Sequence, residues 1–271
     1  PLFFESSTTN CFNLYFSTEL FPLSLSILHH SMFLSYYLRW LCEIPLQRVV
    51  IKLSGSIFKQ PFDLNYIKVL CESFVSLLNE GIQPIIVSGG GEVARNYINV
   101  LRAFGVDETT LDEIGISVSR LNAKIIIGAL GSFAYPLVPS SMDELSLALN
   151  FGKIVVLGGL YPGHSTNATA ALVAEKSRAT LFVNATDVDG VYTADPKIDK
   201  NAKKYDQIDT KTLFNLVTSS PLIAGSYDLF DPLAIKVIER SNIRTRIVLC
   251  TPQNILNAIK GSKVGTEIVI K

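Results

Sequence analysis

Four stretches of the 271-residue chain bring glycine, hydroxyl and charged side chains together at spacings suited to holding phosphate. "KLSGS" (Lys52, Leu53, Ser54, Gly55, Ser56) closes one apolar run, and "SGGGEVAR" (residues 88–95) closes another. "GGLYPGHST" follows a third: Gly158, four residues, Gly163, then His164 and Ser165, where a common nucleoside-triphosphate loop has Lys before Ser or Thr. "NATDVDGVYTADP" (residues 184–196) leaves a fourth and at once presents Thr186, Asp187, Asp189, Gly190, Tyr192 and Asp195. Alone, each glycine cluster reads equally as a tight turn, and the fourth stretch as a surface turn. Gly89, Gly91 and Ala94 fit the loose dinucleotide pattern, but Asp107 and Asp112 fall in a helical region, so no strand ending in an acid follows at the usual distance.

Several such turns suit a protein that must hold two phosphorylated molecules together. Two like charges about 4 Å apart repel by ~1 kcal/mol in water and ~4 kcal/mol at an effective dielectric of 20, so donors must surround the junction. Lys52 and Arg95 are the cationic candidates. A solvated strand-end lysine and an Arg95 paired with a neighbouring acid are the alternatives.

The elements that would position these groups alternate. "RVVIKLS", "QPIIVS", "KIVVLG", "TLFVNA" and "RIVLC" have the continuous apolar character of strands buried on both faces. Between them, helices are predicted over 62–80, 92–104, 112–130, 165–177 and 231–240. In the first, Leu64, Ile67, Leu70, Cys71, Phe74, Leu77 and Leu78 recur at three- and four-residue spacing, and Gly81 stops it. Alternating strands and helices predict an α/β fold with a mostly parallel sheet covered on both sides. Ligands of such sheets collect where strands end and helices begin, because unpaired N–H groups there attract anions.

Composition bounds the rest. With 48% hydrophobic and 18% charged residues and a formal net charge of zero, the chain can bury a large core and has no global basic bias toward nucleic acid or acidic lipid. Cys11, Cys42, Cys71 and Cys250 lack the short paired spacing of a zinc site or redox dithiol, which predicts reduced thiols in a cytoplasmic protein. Residues 1–45 differ from the remainder, with Glu5, Glu19, Arg39 and Glu43 as their only charges. A membrane span over 20–41 is interrupted by His29, His30 and Arg39. The segment is expected to be an extension outside the folded domain, or upstream sequence translated by mistake, with the functional domain covering 46–271.

"VSGGGEVARNYI", "GGLYPGHSTNATAALVAE", "TDVDGVYTADPK" and "DPLAIKVIERS" together resemble the amino-acid kinase superfamily and, within it, the archaeal-type uridylate (UMP) kinases. The similarity runs from Gln47 to Lys271. It implies a three-layer αβα sandwich whose N-terminal part binds the phosphoryl acceptor and whose C-terminal part binds ATP. Carried over motif by motif, Lys52, Leu53, Ser54, Gly55 and Ser56 lie at the ATP phosphates, with Gly91 and Arg95 on the ATP side. Gly90 would contact UMP, Asp112 the acceptor's ribose, and Gly158, Gly159, Leu160, Tyr161, Pro162, Gly163 and His164 would wrap UMP. Thr186, Asp187, Tyr192 and Asp195 match the adenine and ribose contacts of ATP. Two positions depart from the pattern: Ser56 stands where many relatives have a second lysine, and Asp187 where many have Asn.

The implied reaction is in-line transfer of the γ-phosphoryl group of Mg2+-ATP to UMP, which needs positioning and charge neutralisation more than covalent catalysis. Lys52 is the expected catalytic cation and Lys236 a second, unless Lys236 simply faces solvent on its helix. A loop that holds a monophosphate and its nucleoside does not need the lysine missing before Ser165, and His164 can donate a hydrogen bond while neutral. No protein metal site is expected. Other acceptors used on this fold, and a nucleotide-binding storage or regulatory protein that has lost transfer, are the alternatives. The resemblance implies a homo-oligomer, a hexamer built from dimers, with residues 114–121 either interface or ordinary core.

Overall fold

The computed structural model describes residues 46–194, 199–219 and 230–270. The five expected strands form: β1 (Gln47–Leu53), β2 (Ile82–Ser88), β3 (Val155–Leu157), β4 (Leu181–Thr186) and β6 (Thr245–Leu249). Two short strands join them, β5 (Gln207–Asp209) and β7 (Thr266–Val269). The sheet order is β3-β2-β1-β4-β6-β7-β5, with all pairings parallel except β6 with β7.

Side chains on successive strand residues point to opposite faces, so each central strand feeds two cores. Val49, Ile51 and Leu53 of β1 pack in the core on one face, and Val50 packs on the other. The first core is covered by α1 (Leu64–Asn79), α3 (Glu108–Leu130) and α8 (Pro252–Ile259). The second is covered by α4 (Met142–Leu149), α5 (Thr166–Ser177), α6 (Thr210–Ser219) and α7 (Pro232–Ser241). The mostly parallel sheet covered on both sides, expected from the alternating pattern, forms, and with it the three-layer αβα sandwich that the resemblance implies.

The local differences have local causes. The helix expected over 112–130 starts four residues earlier, because Asp107 Oδ1 accepts from Thr110 N at 3.0 Å and caps it at Glu108. β5 and β7 are too short for a readable period, and α4, α6 and α8 are short helices whose apolar stripes span about two turns. α2 (Gly91–Ala103) sits at the carboxyl ends of the strands, against α3 and the turn after β1. By length and composition α3 could cross a membrane, yet its Ala123, Ile126 and Leu130 pack into the first core.

Candidate active site

From β1 the chain goes to β2 on one side, while β4 flanks β1 on the other. The carboxyl end of β1 therefore lies beside the topological switch point, where open α/β sheets place their ligands. Lys52 is there, in register with Val87 of β2 and Asn184 of β4. Because Val50, two residues earlier, faces the α5 side, Lys52 faces that side too, and it is half-buried. Ser54 then caps a short 3-10 turn over Gly55–Phe58, its Oγ accepting from Ser56 N at 3.2 Å and lying 2.8 Å from Ser56 Oγ. The serine that replaces the second lysine is thus tied into the turn.

The triple glycine packs directly on this turn. A methyl group on Gly55 would lie 2.3 Å from Gly91 N, and one on Gly91 would lie 2.3 Å from the Gly55 carbonyl oxygen. Gly91 also has φ +68°, a left-handed conformation that costs a side chain energy. Gly89 N donates to the Leu53 carbonyl at 3.3 Å, completing the seam between the two strand ends.

Helix caps single out one of these ends for an anion. The first turns of seven helices are capped by a side chain: Asp63, Asp107, Ser141, Ser165, Asp209, Asp231 and Thr251 accept from backbone N–H groups of α1, α3, α4, α5, α6, α7 and α8. α2 begins at Gly90 with no side-chain cap. Among the described residues no side chain caps its first N–H groups, which begin against the Gly55 turn, and uncapped helix starts of this kind suit anions. Arg95, one turn into α2, is exposed and makes no ion pair among the described residues, so its pairing with a neighbouring acid is not seen.

The loop 158–164 is built differently. Gly159 N donates to Ser119 Oγ at 2.8 Å, Gly163 N to Asp112 Oδ2 at 2.7 Å, and His164 N to the Tyr161 carbonyl at 3.3 Å; Pro162 has no N–H. Three of its six N–H groups are thus used within the protein, which leaves fewer for an anion than an amide nest of the triphosphate-binding kind presents. Gly158 lies so near α3 that a methyl group on it would come within 2.6 Å of Arg120 N and Ser119 Oγ. Leu160 is buried, Tyr161 and Pro162 are exposed, and His164 Nδ1 lies 3.2 Å from the Pro162 carbonyl with its ring edge-on to Tyr161.

One helix thus binds both glycine turns. On α3, Asp112, Ser119 and Arg120 reach the loop 158–164, and Asn122 Nδ2 donates to Gly89 O at 2.8 Å and to Gly90 O at 3.3 Å. Ser119, Arg120 and Asn122 were not anticipated as site residues. Their signal was present: Ser119 and Asn122 are polar residues on the otherwise apolar buried face of a helix.

At the end of β4, Thr186 is buried and donates its Oγ1 to Asp187 Oδ1 at 3.2 Å, while Asp187 itself is exposed. Tyr192 OH donates to Asp189 Oδ1 at 2.6 Å and Lys204 Nζ lies 3.1 Å from Asp189 Oδ2. Burial works against ionisation of Asp189, but these two donors hold its carboxyl below the usual range. Asp195 lies outside the described residues. Beside Lys52, Cys250 N donates to the Thr186 carbonyl at 2.7 Å and Tyr66 OH donates to the Cys250 carbonyl. Burial pushes the Cys250 thiol up, although Ser54 N–H, Tyr66 and Lys52 each favour its charged form.

Lys236 is paired on its own helix. Its Nζ lies 2.9 Å from Glu239 Oε2 and 5.2 Å from the Phe214 ring centroid, on the exposed side of α7. Among the described residues no group of three or more His, Cys, Asp or Glu side chains is arranged to hold a metal ion.

The amino acid kinase family model matches residues 47–249. Uridylate kinase of Archaeoglobus fulgidus is 43% identical over 221 residues, covering 82% of this chain and 99% of that protein. Uridylate kinase of Methanocaldococcus jannaschii is 44% identical over 223 residues, with the same coverage. Among solved structures, the A. fulgidus uridylate kinase superposes with a TM-score of 0.74 at 42% identity, over 82% of this chain and 99% of that one. UMP kinase from Bacillus anthracis gives 0.69 at 25% identity, over 83% and 96%.

Proposed function

Because this chain belongs to the amino acid kinase family, we propose that it is a uridylate kinase, transferring the γ-phosphoryl group of ATP to UMP to give UDP and ADP. The observation that carries this is the seam of Gly55 and Gly91 beside Lys52 at the switch point, with the uncapped start of α2 opening onto it. Uridylate kinases similar over nearly their whole length support UMP as acceptor over the other acceptors used on this fold, and do not favour a non-catalytic binding protein.

In this reading the turn from Lys52 to Ser56, together with Gly91 and Arg95, receives the ATP phosphates. Thr186, Asp187, Tyr192 and Asp195 take its adenine and ribose. Gly90, Asp112 and the loop 158–164 hold UMP. Transfer converts the bond from Pγ to the β,γ-bridging oxygen into a bond from Pγ to an oxygen of the UMP phosphate, and ADP leaves with the electron pair. That attacking oxygen is already ionised at neutral pH, so no general base is needed. The protein's work is to bring two polyanions together and neutralise charge as it redistributes, which Lys52 and the α2 amides do. Mg2+ enters as part of the substrate, bound to the ATP phosphates, as is usual for this ion. Lys236 acts, if at all, only after leaving Glu239.

The functional domain is assigned to 46–271 and the protein to the cytoplasm, as a homo-oligomer. Apolar side chains exposed on α2, Tyr97 and Val100, and on Phe104 just after it, support an assembly surface; in 114–121 Val118 is core and Leu121 is exposed. Light scattering of the purified chain tests the assembly. A coupled ADP-release assay with UMP, CMP and small carboxylic acids as acceptors tests the function. UMP-stimulated release is expected; release stimulated by none of them, with ATP still bound, would overturn it.

A further inference from the structure

We infer that Arg120 is a positioning residue that fixes the acceptor loop in its substrate-receiving shape. The guanidinium, half-buried on α3, donates from Nε to the Gly159 carbonyl at 3.0 Å, and from Nη2 to the Leu160 and Ser140 carbonyls at 3.4 Å each. One residue earlier on the same helix, Ser119 Oγ accepts from Gly159 N. The two peptide units flanking the Gly159 α-carbon are therefore held through the N–H of one and the carbonyl of the next.

Both glycines at this point, Gly158 and Gly159, pack closely on α3. A methyl group on Gly159 would lie 2.9 Å from Ile116 Cγ1, so the backbone here runs against α3 with no side chain between them. What sets the path of 159–160 over the site is thus a planar donor with several N–H groups in fixed directions, a geometry that a lysine ammonium does not reproduce. Asn122, two residues beyond Arg120, holds Gly89 and Gly90 from the same helix, so α3 fixes the distance between the acceptor loop and the phosphate turn. Arg120 acts through the carbonyls of the loop and not by touching substrate.

The inference rests on the uridylate kinase reading for its kinetic test, but not for its structural one. Arg120→Ala is expected to raise KM for UMP by about ten- to a hundredfold, the size of effect that small misplacement of a bound group produces. KM for ATP is expected to stay within about twofold, because no ATP-side residue is held by Arg120. Arg120→Lys, keeping one donor toward Gly159, is expected to recover part of the loss. If the alanine variant fails to fold, the lysine variant is read in its place. Independently, amide hydrogen exchange of 158–164 measured without nucleotide should quicken in Arg120→Ala while that of 181–186 does not. Unchanged exchange in the loop, or KM for ATP rising in step with that for UMP, would overturn the inference. If the wild-type chain does not phosphorylate UMP, the uridylate kinase reading fails, and the exchange measurement alone decides the role of Arg120.

Discussion

Gly55 and Gly91, thirty-six positions apart, meet backbone to backbone at the mouths of adjacent parallel strands, with room for no methyl group on either. Gly55→Ala or Gly91→Ala must push the Ser54 turn away from the start of α2. At Gly91 the positive φ adds a further cost of about 1 kcal/mol. Each variant is expected to lose at least about a hundredfold in kcat/KM, as misplacement of a phosphate-binding turn would produce. Steady-state kinetics at matched thermal stability check this. Activity within threefold of wild type would mean that the seam is packing only.

Lys52 and Lys236 should separate kinetically. Lys52→Ala is expected to lower kcat by about 10²–10³-fold while changing KM for either nucleotide by less than about threefold, the pattern of an interaction made mainly in the transition state. Lys236→Ala should cost less than about tenfold, since its ammonium is paired with Glu239 on the outer side of α7. Equal losses in the two variants would place Lys236 in the site during turnover.

Asp112 holds the far end of the acceptor loop through Gly163 N. Asp112→Ala should raise KM for UMP by about tenfold or more, the effect of losing a hydrogen bond to a charged group. KM for ATP should be unchanged. Asp112→Asn, keeping an acceptor oxygen, should fall between the two. A parallel rise of both KM values would show that Asp112 serves the fold instead.

Glu267 supplies a pH test of the β6–β7 pair. Burial opposes its ionisation, but Arg246 beside it and Arg244 hold the carboxyl below its usual range; Arg246 Nη2 lies 3.1 Å away. A carboxyl whose folded pKa is lowered contributes stability that is fully present above its unfolded value of about 4.3 and is lost as pH falls through the folded value. Glu267→Gln should therefore destabilise the protein at pH 7 and flatten the decline of the urea midpoint below about pH 4.5. An unchanged slope would assign the acid sensitivity to other carboxylates.

Much of this was legible in the sequence, because the governing forces are local. Continuous apolar runs such as Val49–Ile51, set between turn signals, read as strands buried on both faces, and the spacing of Ile67, Leu70, Phe74 and Leu77 reads as a helix with one core face. Glycine clusters after such strands mark the mouth of the sheet, since backbone must approach ligand or backbone there. The alternation of these elements sufficed to reach a parallel sheet covered on both sides and to single out Lys52; the αβα architecture and the roles of Gly55 and Gly91 came from the resemblance that the motifs carry.

Only the tertiary structure decided which of two helix starts after a glycine turn lacks a side-chain cap. Gly90 and Ser165 both precede helices, but the Ser165 side chain caps its own helix and the start of α2 has no such cap. It also decided that two amides of the loop after β3 are occupied from α3, by Asp112 and Ser119, which lie 51 and 40 residues away in the chain. No period or propensity encodes a contact of that separation; it exists only once the sheet and α3 have packed and fixed the distance between them. For the same reason the pairing of Lys236 with Glu239, and the bonds of Arg120 and Asn122 to the two glycine turns, came from the fold alone.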